Sequence, residues 1–342
     1  AQDYPRALFD LYVVPNNCTD DTAGAARRAG ASILTCTFPV KCKGDVLRQA
    51  FSQLLASPVH YDAFCVFDAD NVVDPRFLDQ MNRALCTGVK VAKGRDEAMN
   101  PESSWVSGCY AIYFGLFNRF FNQARDSCGL SAGVRGTGFV VHRSVLERGG
   151  GWHTVTITED IEFSSQCALW GERVAWVDQA VTWDEQPNSF RASLTQRRRW
   201  CSGSMQVAGL HMPALARRIL GDNGRLSFDF ICYLLVPYIQ ALSPLPVGLL
   251  LFWGLLRSKA VFLRVLWLIG AGGAVSALLT MAAAVLVVCL TGNRPHRMWR
   301  AIVTFPLFML SWLPLQILSL FQKTTVWKEV RHTGGELPEK AA

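Results

Sequence analysis

Between residues 228 and 321 the chain carries a single acidic residue, Asp229. Three apolar blocks fill this stretch, residues 228–256, 261–290 and 301–321. Each is long enough to cross the roughly 30 Å hydrocarbon core of a bilayer as a helix. Residues 1–225 mix charged and apolar side chains, as a globular domain does. The expected organisation is therefore an α/β domain over 1–225, an all-α transmembrane region over 226–322 and a basic tail over 323–342. Hydrophobic residues make up 50% of the chain and charged residues 18%, which argues against a wholly soluble protein.

Pro237, Pro244 and Pro246 interrupt the first block, and Pro306 and Pro314 the third. All flanks are basic: Arg257, Lys259 and Arg264, then Arg294, Arg297 and Arg300, then Lys323, Lys328 and Arg331. Charge bias therefore does not set the number of crossings. Three spans leave residues 327–332 outside, and a re-entrant block returns them to the cytosol. The net charge is +7, with the basic excess gathered around 191–225 and in the short loops between blocks. That placement suits the inner leaflet of a cell membrane, with the catalytic or binding domain on the cytoplasmic side. Nucleic acid is not expected as a partner, because no recognised binding motif is present. The eleven cysteines include no CxxC pair, so a reduced setting without a zinc site is expected.

In the first part, short β-rich runs alternate with helical stretches. Strands are expected near 9–14, 32–35, 63–67, 89–93 and 173–177, and helices near 45–55 and 159–171. This alternation predicts a mostly parallel, Rossmann-like sheet covered by helices on both faces. Residues 104–125 are aromatic at helical spacing and read as a packing helix, or as one lying in the membrane interface.

Asp68 and Asp70 follow the third run, where α/β sheets bind ligands, and such a pair can hold a hard divalent cation on a diphosphate. Alone, the pair is equally a turn signal. Thr158-Glu159-Asp160 opens a helix, so Asp160 is either a functional carboxylate or an ordinary cap. In Gln196-Arg197-Arg198-Arg199-Trp200, a helix places Gln196, Arg199 and Trp200 on one face, with Arg197 and Arg198 turned toward lipid headgroups. The blander alternative is a basic helix that only reads the leaflet.

These DxD, TED and QxxRW motifs, in this order and before membrane spans, resemble the family 2 glycosyltransferases. The pattern is closest to the membrane-embedded group of cellulose, chitin, hyaluronan and poly-N-acetylglucosamine synthases. The resemblance implies a GT-A catalytic domain and the following roles. Asp68 contacts the nucleotide-sugar, Asp70 holds Mg²⁺ or Mn²⁺ on its diphosphate, and Asp160 is the general base. Gln196, Arg199 and Trp200 close over donor diphosphate and acceptor sugar, with Glu159 on the acceptor side. The turn from Asn16 to Thr22, with Asn16 and Asp20, resembles the uridine-binding turn, and Lys43-Gly44 the phosphate-contacting loop. Gly136-Thr137-Gly138 resembles the loop lining the acceptor site. In that fold a further strand precedes the first one here, so an upstream segment is expected to complete the sheet. The implied function is inverting hexosyl transfer from a UDP-sugar to a growing β-linked polysaccharide. The alternatives are single transfer to a lipid acceptor (diacylglycerol, ceramide or polyprenyl phosphate) and a non-catalytic, nucleotide-binding membrane subunit.

Overall fold

The computed structural model describes residues 2–324, so most of the basic tail, from 325 on, lies outside the described residues. The elements follow in chain order: β1 (Tyr12–Val13), α1 (Thr22–Arg28), β2 (Ser32–Ile33), α2 (Lys43–Leu55), β3 (Ala63–Val66), β4 (Val72–Val73), α3 (Phe77–Cys86) and β5 (Val91–Ala98). Next come α4 (Trp105–Leu116), a π-helical segment (Phe117–Gln123), α5 (Ala124–Ser127), β6 (Phe139–His142), α6 (Arg143–Arg148), α7 (Glu159–Trp170) and β7 (Val174–Asp184). Helices complete the described chain: α8 (Phe190–Arg218), α9 (Gly224–Leu242), α10 (Pro244–Arg257), α11 (Lys259–Leu290), α12 (Trp299–Leu310) and α13 (Trp312–Phe321).

The expectation of a mostly parallel sheet is wrong. The main sheet has five strands in the order β3-β6-β5-β7-β4, and only β5 and β7 pair in parallel. The β3–β6, β5–β6 and β4–β7 ladders are antiparallel. The two-stranded parallel sheet β1–β2 stands apart. The cause is the connection after β5: α4, the π-helical segment and α5 leave and return at the same edge, so β6 runs back against β5. The sheet also curls. Between Gly94 and Arg95 the register with β7 shifts from Val177 to Val181, looping out three residues of β7, and such bulges bend a strand. Gly94 is required at this point, since a Cβ there would sit 2.3 Å from the Ala180 carbonyl oxygen.

Successive strand residues serve opposite faces, as the pleat dictates. Val91, Val141 and Val174 join Phe51, Phe64, Trp152 and Phe163 beneath α2 and α7. Their neighbours Ala92, Val140 and Ala175 pack with Phe77 and Met81 of α3. The aromatic stretch is a packing helix: α4 buries Val106, Tyr110 and Ile112 against Ala284 of α11 and Phe305 and Phe308 of α12. Three helical stretches are long and apolar enough to cross a membrane: Gly224–Arg257, Lys259–Leu290 and Trp299–Phe321. The first breaks at Ser243–Pro244 and the third at Ser311. Asp229, the one acid of the apolar blocks, is ion-paired with Arg125 of α5.

Candidate active site

Because β3, β5 and β7 share one direction, their C-terminal ends meet at one edge of the sheet. Asp68 follows β3, Asp96 lies late in β5 and Asp184 ends β7, so three carboxylates converge there from distant parts of the sequence. The loop carrying Asp68 is held rigidly. Its backbone N–H donates to Asn71 Oδ1 (2.9 Å) and Thr137 Oγ1 (3.1 Å), and the Thr137 hydroxyl itself donates to Asn71.

Gly136 links the segments that carry Lys43, Asp68 and Asp160. Its N–H donates to Asp160 Oδ2 at 2.6 Å, and its carbonyl accepts from Lys43 Nζ. Lys43 Nζ also pairs with Asp68 Oδ1. Gly136 sits at φ 43°, in the left-handed region where a side chain is strained, which accounts for glycine at this hub. The second oxygen of Asp160 accepts from the Ile161 N–H at 2.8 Å, so the carboxylate is oriented by two backbone donors at the start of α7. Glu159 beside it is buried, and burial together with the Asp160 charge pushes its carboxyl up to about 8, against the pull of Lys43. Burial opposes charge on Lys43, but Asp68, Glu159 and Asp160 more than offset this and hold it protonated above the ordinary lysine range.

Gln196, Arg199 and Trp200 of α8 line the same cleft, as do Asn16, Asp20, Lys43, Asp68, Asp70, Gly136, Thr137, Glu159 and Asp160. Asp20 is exposed and accepts from the Thr22 N–H at 3.2 Å, while Asp21 caps α1. Gly138 does not line the cleft. It sits behind at φ 62°, bonded to the Val66 carbonyl through its N–H (2.8 Å). Burial lowers the Arg199 guanidinium from its usual value, while the neighbouring Glu159, Asp160 and Asp68 favour its charge.

Several residues that position the site had no legible signal. Glu162, on the first turn of α7, is buried and accepts from the backbone N–H groups of Val155 (2.9 Å) and Thr156 (2.7 Å), fixing the loop before Asp160. Arg197, expected to face lipid, is fully buried. Its guanidinium donates to Ser193 Oγ (3.1 Å), the Phe308 carbonyl (3.1 Å) and Ser311 Oγ (2.8 Å), and lies 4.2 Å from the Phe308 ring centroid. Only Arg198 faces outward, bonded to Gln322. Trp312, on the apolar side of the Ser311 break, stacks on Trp200 (6.2 Å) and Tyr113 (5.4 Å).

Gly203 seats α8 against α7. A Cβ at this position would lie 2.3 Å from Thr158 Cγ2 and 2.6 Å from Thr158 Oγ1, and Thr158 is buried. Gly203→Ala is expected to lower stability by about 1–3 kcal/mol through overpacking. Thermal melting in detergent reads this, and Thr158→Ala in the same chain should recover most of the loss. An unchanged melting temperature in Gly203→Ala would show that the two helices are not in close register.

Asp184 reports whether a cation fits here. Its Oδ1 is buried with no hydrogen-bond partner among the described residues, and burial, Asp96 and Asp70 push its carboxyl up to about 8. A buried carboxyl with an unpartnered oxygen, close to Asp70, fits a hard divalent ion. Among the described residues no group of three or more His, Cys, Asp or Glu side chains is arranged to hold a metal unaided. That is the usual situation for Mg²⁺, which takes one or two carboxylates plus substrate phosphates.

An α/β core of GT-A type with a curled, largely antiparallel sheet, a carboxylate-lined cleft and a following set of apolar helices is the architecture of a membrane-associated sugar-transferring enzyme. Residues 63–321 match the family described as "Glycosyl transferase family group 2", and the chain belongs to it. It is 24% identical over 268 residues to the probable glycosyltransferase YdaM of Bacillus subtilis, covering 76% of this chain and 59% of that protein. A β-monoglucosyldiacylglycerol synthase of Nostoc sp. is 25% identical over 258 residues, covering 71% of this chain and 52% of that protein. The chain thus spans little more than half the length of these relatives. A glucomannan 4-β-mannosyltransferase of Arabidopsis thaliana is 28% identical over 163 residues, 47% of this chain and 29% of that protein. The fold is shared with a mannosyltransferase from Pyrobaculum calidifontis solved with GDP-Man and Mn²⁺ (TM-score 0.52, 18% identity, 94% of this chain and 81% of that one). These similarities establish the family and do not single out the cellulose, chitin, hyaluronan or poly-N-acetylglucosamine synthase subgroup.

Proposed function

We propose that the protein is an inverting, metal-dependent glycosyltransferase that moves a hexose from a UDP-sugar to an acceptor hydroxyl at a membrane, with the catalytic domain on the cytoplasmic side. One observation carries this reading: Lys43, Asp68, Asp70, Asp160, Gln196, Arg199 and Trp200, drawn from four segments, line a single cleft. Asp160, fixed by the Gly136 and Ile161 N–H groups, takes the proton of the acceptor hydroxyl. The freed oxygen attacks the anomeric carbon as the bond to the diphosphate breaks, and the nucleoside diphosphate departs with the electron pair. One displacement inverts an α-linked donor to a β-linked product.

Lys43 and Arg199 supply positive charge on the donor side of the carboxylates, where a diphosphate is held. Asn16 and Asp20, which also line the cleft, are the residues offered to the uracil ring. Asp68 and Asp70, with Asp184 behind, are the residues that would hold Mg²⁺ or Mn²⁺. When bound, the ion neutralises charge developing on the leaving diphosphate. Chelation is expected to abolish transfer, and added Mn²⁺ or Mg²⁺ to restore it, with Asp70→Ala losing metal-dependent UDP binding. Full activity in excess EDTA would remove the metal from this scheme. The reported relatives include both a polysaccharide-type and a diacylglycerol-type enzyme by name, so the acceptor has to be read from the cleft itself.

A further inference from the structure

The cleft does not stop at the carboxylates. It continues past Trp200 and Trp312 between α9 and α13, and its chemistry changes along the way. At the junction two buried polar atoms have no hydrogen-bond partner among the described residues: Trp312 Nε1, a donor, and Gln196 Oε1, an acceptor. Buried polar groups are rarely left unpaired, so an absent ligand with both donor and acceptor capacity fits them. A neutral hydroxyl has both. Beyond that point the walls are Leu234, Val236 and Pro237 on α9 and Met309, Leu310 and Leu313 on the other side.

This apolar extension is short. On α9 it runs from Tyr233 to Ser243 and on α13 from Trp312 to Gln316, about 15 Å and 6 Å of helix respectively. A hydrogen bond between Gln316 and Gln240 joins the two helices at the deep end. A polymer leaving through the membrane needs a wettable path across roughly 30 Å, which this apolar recess does not offer. Sideways it is open: Val236 is 42% and Leu310 62% exposed, on helices whose outer faces are apolar.

We infer that the acceptor is a membrane lipid with a neutral hydroxyl head. The head sits against Trp312 Nε1 and Gln196 Oε1, below Asp160, and the hydrocarbon chains leave laterally between α9 and α12–α13. The inference rests on the glycosyltransferase reading and names the acceptor class of the same site. Trp312 is thereby a binding residue contributed by the third apolar stretch, which explains why the helix breaks at Ser311 beside the cleft.

The test uses the full-length protein in phosphatidylcholine vesicles with Mn²⁺ and radiolabelled UDP-glucose, UDP-galactose or UDP-N-acetylglucosamine. Vesicles carry 1,2-dioleoylglycerol, or a polyprenyl phosphate, or no acceptor with soluble β-linked oligosaccharide outside. Release of UDP is followed separately from product. Label is expected in the lipid extract of the dioleoylglycerol vesicles. Leu313→Trp, which fills the recess, should raise KM for dioleoylglycerol at least about tenfold with a much smaller change in kcat. Trp312→Phe keeps the ring and loses the N–H, so it should raise the same KM while melting near the wild-type temperature. Label passing only into water-soluble glycan or polyprenyl phosphate overturns the inference, as does an unmoved KM in both variants, with the transferase reading intact. Absence of UDP release with every donor would instead sink that reading itself.

Discussion

Asp160→Asn lowers turnover by about 10²–10⁴-fold, the usual contribution of a positioned base, and leaves UDP binding near the wild-type value. Asparagine has one acceptor oxygen for the two backbone donors, and turned to keep the Gly136 N–H bond made at 2.6 Å, at the expense of the Ile161 one, it holds the loop that also carries the Lys43 contact. What is lost is the capacity to take a proton from the acceptor. Single-turnover kinetics read the chemical step and calorimetry reads UDP affinity. Near-wild-type turnover would assign the proton to another group. A matching collapse of UDP affinity would make Asp160 a structural cap, the alternative its position at the start of α7 always allows.

The largest stability effect is expected at Arg197, a buried residue with no ion-pair partner among the described residues. Its charge is carried by a carbonyl, two hydroxyls and the faces of Phe308 and Trp312 (4.2 and 5.3 Å). Arg197→Met removes the guanidinium from Ser193, Ser311 and the Phe308 carbonyl, which keeps only the Ser311 hydroxyl (2.6 Å) at the break between α12 and α13, and is expected to cost about 2–4 kcal/mol. Arg197→Lys should recover little, because an ammonium cannot reproduce the planar fork. Arg198→Ala, one residue on and exposed, is expected to stay within about 0.5 kcal/mol of wild type. Chemical denaturation in a fixed detergent compares the three, and equal losses at 197 and 198 would refute the buried role.

The contrast between these two arginines shows what a sequence displays and what it hides. Position along a helix is legible, so Gln196, Arg199 and Trp200 were placed on one face, and all three line the cleft. Which side of that helix meets protein is a tertiary fact. A run of three arginines beside apolar blocks reads as lipid-facing, yet α12 and α13 fold over Arg197. Strand positions were legible from short apolar runs such as Ala63–Val66, but strand direction was not. Direction depends on where the excursion between Ala98 and Phe139 returns to the sheet, and no local pattern encodes that. Asp96 and Asp184 carry no local signal for the same reason, since only the strand order brings Asp96 and Asp70 near Asp184. Trp312 was hidden differently. A tryptophan in an apolar stretch reads as a membrane anchor, and only the break at Ser311 turns it toward Trp200.

The central claim is that this cleft performs one inverting displacement on a UDP-sugar. The most direct measurement is proton NMR of the product formed by the full-length protein from an α-linked UDP-sugar with Mn²⁺, recording the anomeric coupling of the new glycosidic bond before any rearrangement. The account predicts a β-linkage from wild type and, from Asp160→Asn, product formed about 10²–10⁴-fold more slowly. An α-linked product, or a β-linked one formed at an undiminished rate by Asp160→Asn, would contradict it.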